Sequence, residues 1–230
     1  MGEHGRVTMR KLAVSQTTLL QARVAVVSLL FWLSYLLLPS PSRADSPTEQ
    51  IPTTVEQTLS IIRSPNSKSK VSNQDRRAQL AEVIYSRFDF AEMSKRSLGP
   101  HWARRTAEEK REFVKVFAGL LGRTYMAKIE SYGTQTILYT REVKDENYAQ
   151  VDTKIVAADT RDSWSINYKL HSVKNEWKVY DLLIEDISLV NNYRSQFDRI
   201  ITRTSFLDLV RVMKEKQSVG SAMTARMAGR

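Results

Sequence analysis

The side chains that could act as acids, bases or metal ligands are few and widely spaced. The chain has no cysteine and three histidines, which excludes a thiol nucleophile and a thiolate metal site. His101 and His171 are separated by 70 positions, so their spacing is not typical of a zinc site. No glycine-rich phosphate loop occurs. The sequence therefore predicts neither a metal site nor a cofactor.

Asp181 is the carboxylate with the most unusual surroundings. Strand alternation places it on one face with Trp177, Val179 and Leu183, and a carboxylate buried there needs partners. One interpretation is a general base, and the other is a structural acid held by arginine or backbone groups. No second acid, base or oxyanion device accompanies Asp181. We therefore favour the structural role and predict that the protein is not an enzyme.

Helical periodicity and capping residues define the elements that must position these side chains. A first helix is predicted over 48–63, where Val55, Leu59 and Ile62 recur at helical spacing. Three pairs resemble capping boxes that open further helices: Ser72 with Asp75, Asp89 with Glu92, and Thr106 with Glu109. The last of these helices is the longest and reaches about Tyr132. Two C-terminal helices are predicted to begin after Ser188 and after Thr204 or Ser205.

Between the long helix and the C-terminal helices, the hydrophobic period changes from 3.6 to 2. Four strands are predicted over 134–143, 148–158, 163–173 and 176–187. Their short polar connections indicate antiparallel neighbours. Alternation predicts that Val179 and Leu183 share one face of the fourth strand and that Leu182 and Ile184 share the other. The fold class is therefore α+β, with helices packed on a four-stranded antiparallel sheet.

The first 44 residues have the pattern of a cleaved signal peptide. Basic residues precede an apolar run over 24–38, and Ser42 and Ala44 follow two prolines. The run has 15 residues, whereas a bilayer crossing needs about 20, although an uncleaved anchor is the alternative. Met1 and Met9 are both possible starts. The expected arrangement is a signal peptide over 1–44, a folded domain over 45–217 and a disordered tail over 218–230.

The composition of the expected mature chain restricts its location and partners. It retains 30 basic and 24 acidic residues, a net charge near +6, which suits anionic lipid head groups or an acidic partner. No aromatic-interleaved basic motif indicates nucleic-acid binding. Without cysteine the chain cannot be a lipoprotein or depend on disulfides. A Gram-negative periplasm is the expected location.

Several strings, in their order and spacing, resemble the MlaC-type auxiliary proteins of ABC lipid transporters, also called the toluene-tolerance family. The resemblance covers about residues 50–215. The strings that carry it are Phe88-Asp89-Phe90, Leu98-Gly99-Pro100-His101-Trp102, the segment 113–132 with Tyr125, Trp177-Lys178-Val179-Tyr180-Asp181, Ile187-Ser188-Leu189-Val190, Asn192-Tyr193-Arg194 and Phe206-Leu207-Asp208-Leu209-Val210. One departure is Glu185-Asp186, where the family pattern leads us to expect a glycine.

The resemblance implies an NTF2-like fold and a periplasmic phospholipid carrier. Such a protein passes lipid between an inner-membrane ABC transporter complex and an outer-membrane lipoprotein complex, without chemistry, and is expected to be a monomer. A hopanoid cargo is the alternative within the same family. An NTF2-like enzyme using Asp181 and an envelope adaptor with a filled core are the alternatives outside it.

The residues expected to contact lipid lie on the long helix and on the inward faces of the strands. They are Tyr125, Tyr139, Val151, Ile155, Trp164, Ile166, Tyr168, Val179 and Leu183. Apolar residues at these spacings are also typical of an ordinary core, so we expect about half of them to contact a ligand.

Overall fold

The structure is a computed structural model that describes residues 46–64, 70–158 and 162–216. The signal peptide predicted over 1–44 and the tail predicted over 218–230 lie outside the described residues. Within them the chain forms seven helices and one five-stranded sheet. None of the described helices is both long and apolar enough to cross a bilayer.

Five helices precede the sheet, and capping side chains set most of their starts. They are α1 (Pro47–Arg63), α2 (Lys70–Arg87), α3 (Phe90–Leu98), the short α4 (Pro100–Ala103) and the long α5 (Ala107–Glu130). The predicted capping box of α5 is confirmed: Glu109 accepts a hydrogen bond from Thr106 N at 2.7 Å, and Glu109 N donates to Thr106 Oγ1. Asp89 caps α3 by accepting from Glu92 N. The cap predicted at Ser72 is wrong, because α2 already begins at Lys70.

The sheet is an antiparallel meander in which neighbouring strands follow one another along the chain. Its order is β1 (Thr136–Asp145), β2 (Tyr148–Val156), β3 (Ser163–Val173), β4 (Glu176–Ile184) and β5 (Ile187–Ser188). The four predicted strands are confirmed, and the short β5 is the addition. Lys174-Asn175 and Glu185-Asp186 have left-handed backbone angles at both positions, as two-residue hairpin turns require. The bend after β4 therefore forms without the expected glycine.

A β-bulge in β4 reverses the faces that alternation predicts for its second half. Leu170 pairs with Val179, but its neighbour Lys169 pairs with Asp181, so Tyr180 is the extra residue. A bulge adds one residue to one strand, so the side chains beyond it point to the opposite face from the one that simple alternation predicts. Val179 therefore lies on the same face as Leu182, opposite Asp181 and Leu183. The prediction that Val179 and Leu183 share a face is wrong for this reason.

Two hydrophobic clusters form the core on either side of the α2–α3 junction. The larger one joins α3, α5, α6 (Leu189–Arg203) and α7 (206–216) around Phe113, Phe117 and Phe197. The smaller one lies on the sheet, where Ile51 of α1 covers Val151, Leu170 and Val179. Arg87 connects α1 to the sheet edge by donating hydrogen bonds to Gln50 Oε1 at 2.6 Å and to Trp177 O at 2.9 Å.

Candidate functional site

An apolar cleft lies between α2, α5 and the end of β4. The space between its walls is about 510 Å³, a figure that includes open solvent at the mouth, and the surface that the cleft exposes is apolar. Its lining comes from the C-terminal half of α2, α3, one face of α5, β4 and the start of α6: Ile84, Tyr85, Phe88, Phe90, Met93, Leu121, Gly122, Tyr125, Met126, Ile129, Leu182, Ile184 and Leu189. An apolar concave site of this kind suits a hydrocarbon ligand.

The backbone of α5 lies farther from the sheet than those of the other helices that pack on it. The backbones of α1, α2, α3 and α6 each approach the sheet closely, and that of α5 does so less. Residues 121, 122, 125, 126 and 129 recur at helical spacing on the cleft side of α5. Across from them Leu182 and Ile184 project from β4. The space between the long helix and β4 is therefore incompletely filled by side chains.

Tyr85 closes one side of the cleft by packing against α5 at Gly122. Its hydroxyl donates to Ala118 O at 3.3 Å, and its ring meets that of Phe90 edge-on, with 4.9 Å between centroids. A Cβ added at Gly122 would collide with the Tyr85 hydroxyl. The absence of a side chain at Gly122, rather than its backbone freedom, therefore lets Tyr85 lie against α5 at this point.

The inward face of the sheet continues from the cleft toward β1. Ile184 pairs with Ile166, Ile166 with Thr153, and Thr153 with Tyr139. Cross-strand partners share a face of the sheet, so this row runs from the cleft to the outer strand. In the next row Leu182 pairs with Tyr168.

A group of aromatic residues with polar tips lies beyond the cleft lining, near the C-terminal end of α5. Tyr132 follows Ile129 by one helical turn, and its ring centroid is 5.9 Å from that of Trp164. Lys128 Nζ lies 5.4 Å from the ring centroids of both Tyr132 and Trp164, a cation–π arrangement. We call Lys128, Tyr132, Tyr139, Trp164 and Tyr168 the polar aromatic cluster.

The tyrosines around the cleft and the cluster resist ionisation. Burial, with a smaller contribution from Glu56, raises the pKa of Tyr139 to about 12. Burial and the neighbouring Tyr193 raise the pKa of Tyr125 to about 12. Burial also raises the pKa of Tyr168, reinforced by Tyr139 and Tyr132. These phenols therefore stay neutral hydrogen-bond donors well above neutral pH.

The nine predicted contact residues fall into four groups. Tyr125 lines the cleft. Ile166 and Tyr168 pair with its residues Ile184 and Leu182, and Tyr139 and Trp164 lie farther along the same face of the sheet. Val151, Val179 and Ile155 are buried, and the first two pack in the cluster covered by α1. Leu183 pairs with Asn167 on the opposite face. The structure thus places one of the nine in the cleft and two directly beside it, while Tyr139 and Tyr168 also pack against the cluster covered by α1.

Most of the cleft lining was not predicted as a site. Ile84 is an apolar residue of α2, and an apolar residue on a helix by itself indicates only a buried face. Alternation places Leu182 and Ile184 on the face opposite Val179, and the bulge at Tyr180 brings them onto the same face. β4 is apolar on both faces, so its sequence has no polar–apolar alternation whose interruption would indicate the bulge.

Asp181 has a structural role in the fold. It is buried and accepts hydrogen bonds from Ser188 Oγ at 2.6 Å and from Val190 N at 3.0 Å. Both donors belong to the start of α6, so Asp181 and Ser188 together cap that helix. Asp181 does not line the cleft. These contacts support the structural interpretation over the general base.

The two histidines are paired with carboxylates outside the cleft. His101 Nε2 lies 2.8 Å from Asp198 and connects α4 to α6. His171 Nε2 lies 3.0 Å from Asp89, the residue that caps α3. Over residues 46–64, 70–158 and 162–216, no three carboxylate or histidine side chains are grouped closely enough to hold a metal ion.

Comparison with known proteins gives one family. The model of the family described as "MlaC protein" matches residues 52–215. The chain is 23% identical over 125 residues to the intermembrane phospholipid transport system binding protein MlaC of Haemophilus influenzae. That alignment covers 53% of this chain and 58% of the relative, so the similarity spans less than two thirds of the relative's length.

A solved structure shares the fold. It is a phospholipid-binding protein from Ralstonia solanacearum in complex with a phospholipid, which this chain matches with a TM-score of 0.69 and 24% identity. The match covers 77% of this chain and 99% of that one. Agreement over this length confirms the predicted fold, an antiparallel sheet packed with helices.

Proposed function

The chain belongs to the MlaC family, and from this premise we propose that it is a periplasmic phospholipid carrier that performs no chemistry. The observation that carries the proposal is the apolar cleft between α5 and β4. Its surface has no polar lining with which to select a soluble metabolite, whereas acyl chains match it chemically. The names of the Haemophilus and Ralstonia relatives support phospholipid as the ligand.

Burial of the acyl chains would account for retention of the lipid in water. Each buried methylene contributes about 0.8 kcal/mol, so about ten methylenes contribute roughly 8 kcal/mol. Release into water is slow under such conditions. Delivery then requires docking to a membrane complex that offers the chains another apolar site.

The proposed route connects an inner-membrane ABC transporter complex with an outer-membrane lipoprotein complex. The family supports this pair of partners, and the basic composition of the expected mature chain supports contact with anionic membrane surfaces. A Gram-negative periplasm, reached through the predicted signal peptide, is the compartment such a route requires.

The test introduces a charge into the cleft and compares it with the same charge outside. Met126 lines the cleft, whereas its neighbour Ala127 is exposed on the outer side of α5. Met126→Glu is expected to lower the phospholipid that co-purifies with the protein at least tenfold, about 1.4 kcal/mol or more, because a carboxylate in an apolar site is strongly disfavoured. Ala127→Glu is the matched control and is expected to retain the lipid.

Lipid is measured by mass spectrometry of the natively purified full-length protein, and circular dichroism verifies that each variant is folded. A wild-type protein that carries no phospholipid, and takes up none from phospholipid vesicles, would refute the proposal. Equal lipid content in a folded Met126→Glu variant would show that the acyl chains bind elsewhere.

A further inference from the structure

The polar aromatic cluster carries buried donors that the fold leaves unpaired. Among the described residues, neither Tyr139 Oη nor Trp164 Nε1 has a hydrogen-bond partner, and both atoms are buried. The indole nitrogen lies near enough to the Tyr132 hydroxyl to oppose the rise of its pKa, but without the geometry of a hydrogen bond. Buried polar atoms are normally paired, so each exception calls for an explanation.

The chemistry of the cluster indicates what would satisfy these donors. An indole N–H only donates, and a neutral phenol readily donates. Lys128 adds a cation held over the Tyr132 and Trp164 rings. The matching ligand group therefore presents several oxygen acceptors and a negative charge.

The position of the cluster connects it to the cleft. Tyr132 lies one turn beyond the cleft residue Ile129 on α5, and Trp164 is two residues before Ile166, the partner of Ile184. None of the cluster residues lines the cleft itself, so a molecule with its hydrocarbon in the cleft reaches the cluster by extending along the inward face of the sheet. Lys128 is exposed at this point, so a phosphate there keeps contact with water.

Building on the proposed carrier function, we propose that this cluster binds the polar end of the lipid: Tyr139 and Trp164 donate to its ester oxygens, and Lys128 contacts its phosphate. The site selects a glycerophospholipid over a neutral lipid with the same tails. It also disfavours a hopanoid hydrocarbon, which would leave the buried donors unpaired.

A competition between two lipids tests the assignment. Delipidated full-length protein is incubated with equal amounts of dioleoyl phosphatidic acid and dioleoylglycerol, and native mass spectrometry measures uptake. Wild-type protein is expected to take up the phosphatidic acid at least tenfold more. Lys128→Met is expected to reduce this preference to threefold or less, and Trp164→Phe, which keeps the ring but removes the N–H, to lower phosphatidic acid uptake several-fold.

Lys154→Met is the matched control. Lys154 is exposed and pairs with Leu138 and Ser165 on the outer face of the same sheet, so its loss of charge should leave the preference unchanged. Equal uptake of the two lipids by wild-type protein, or an unchanged preference in Lys128→Met, would overturn the assignment while leaving the carrier function intact. Uptake of neither lipid would refute the carrier function as well.

A soluble phosphoester separates the lipid head group from a free anion. Glycerol 3-phosphate has the phosphate without the tails, and we expect no saturable change in tryptophan fluorescence on its addition. Saturable binding of glycerol 3-phosphate would mean that the cluster takes a free phosphoester, and would overturn the assignment to a lipid.

Discussion

The contact between Tyr85 and Gly122 makes a quantitative prediction about the wall of the cleft. Replacing glycine by alanine inside a helix normally stabilises it by about 1 kcal/mol. At position 122 the new Cβ would collide with the Tyr85 hydroxyl. Relief of the collision would remove the hydrogen bond to Ala118 O, about 0.5–1 kcal/mol, and disturb the edge-on contact with Phe90, about 0.5–1.5 kcal/mol. We therefore expect Gly122→Ala to leave the free energy of unfolding unchanged or to lower it by about 1 kcal/mol.

Removing the hydroxyl should reverse that outcome. In the Tyr85→Phe background the nearest atom to the new Cβ is the ring Cζ at 3.5 Å, an ordinary contact. Gly122→Ala should then give its full stabilisation of about 1 kcal/mol. The coupling energy between the two substitutions, which is the difference between the effect of the double variant and the sum of the single effects, would be about 1–2 kcal/mol. This is well beyond the usual scatter for independent sites.

The assay is urea denaturation of the wild type, both single variants and the double variant at 25 °C, followed by tryptophan fluorescence. A coupling energy below about 0.5 kcal/mol would refute the placement of Tyr85 against Gly122. It would also remove Tyr85 from the wall of the cleft.

Two further predictions concern buried polar groups. Asp181→Asn should lower the free energy of unfolding by about 2 kcal/mol, because it weakens charge-assisted hydrogen bonds at the start of α6. Bound lipid should be retained. Urea denaturation measures the stability and mass spectrometry the lipid, and loss of lipid at unchanged stability would contradict the prediction. Tyr139, with its pKa raised from 10.0 to about 12, should contribute stability that is fully present below pH 10 and lost as the pH rises toward 12. The urea midpoint of the wild type should therefore fall as the pH rises from 10 to 12. It should fall less in Tyr139→Phe, in which Tyr125 and Tyr168 still lower it with pH. An equal fall of the midpoint in the two proteins would contradict the raised pKa of Tyr139.

The hydrogen bonds of Asp181 distinguish a structural acid from a general base. A general base must face the space in which a substrate lies. The carboxylate instead faces the first turn of α6, where Ser188 and Val190 satisfy it. Because the bulge at Tyr180 turns Asp181 away from Val179 and Leu182, the fold separates this acid from the apolar cleft.

Local sequence signals were sufficient for most elements of the fold, though not for the start of α2 or for β5. Thr106 with Glu109 and Asp89 with Glu92 begin helices as predicted, because a capping side chain pairs with backbone groups within three residues. The change to a period of 2 marked the strands, and their short connections established that they are antiparallel. Such patterns depend only on neighbours along the chain, so the sequence contains them in full.

The cleft itself was decided by tertiary structure. An apolar stripe shows that a face avoids water but not what covers it. Val151 is core because Ile51 of α1 lies on it, whereas Ile184 lines a cleft because the side chains of α5 do not fill the space opposite it. The bulge at Tyr180 depends on pairing with β3, and it determined which residues of β4 face the cleft. Both outcomes depend on contacts between distant segments, which hydrophobic periodicity cannot specify.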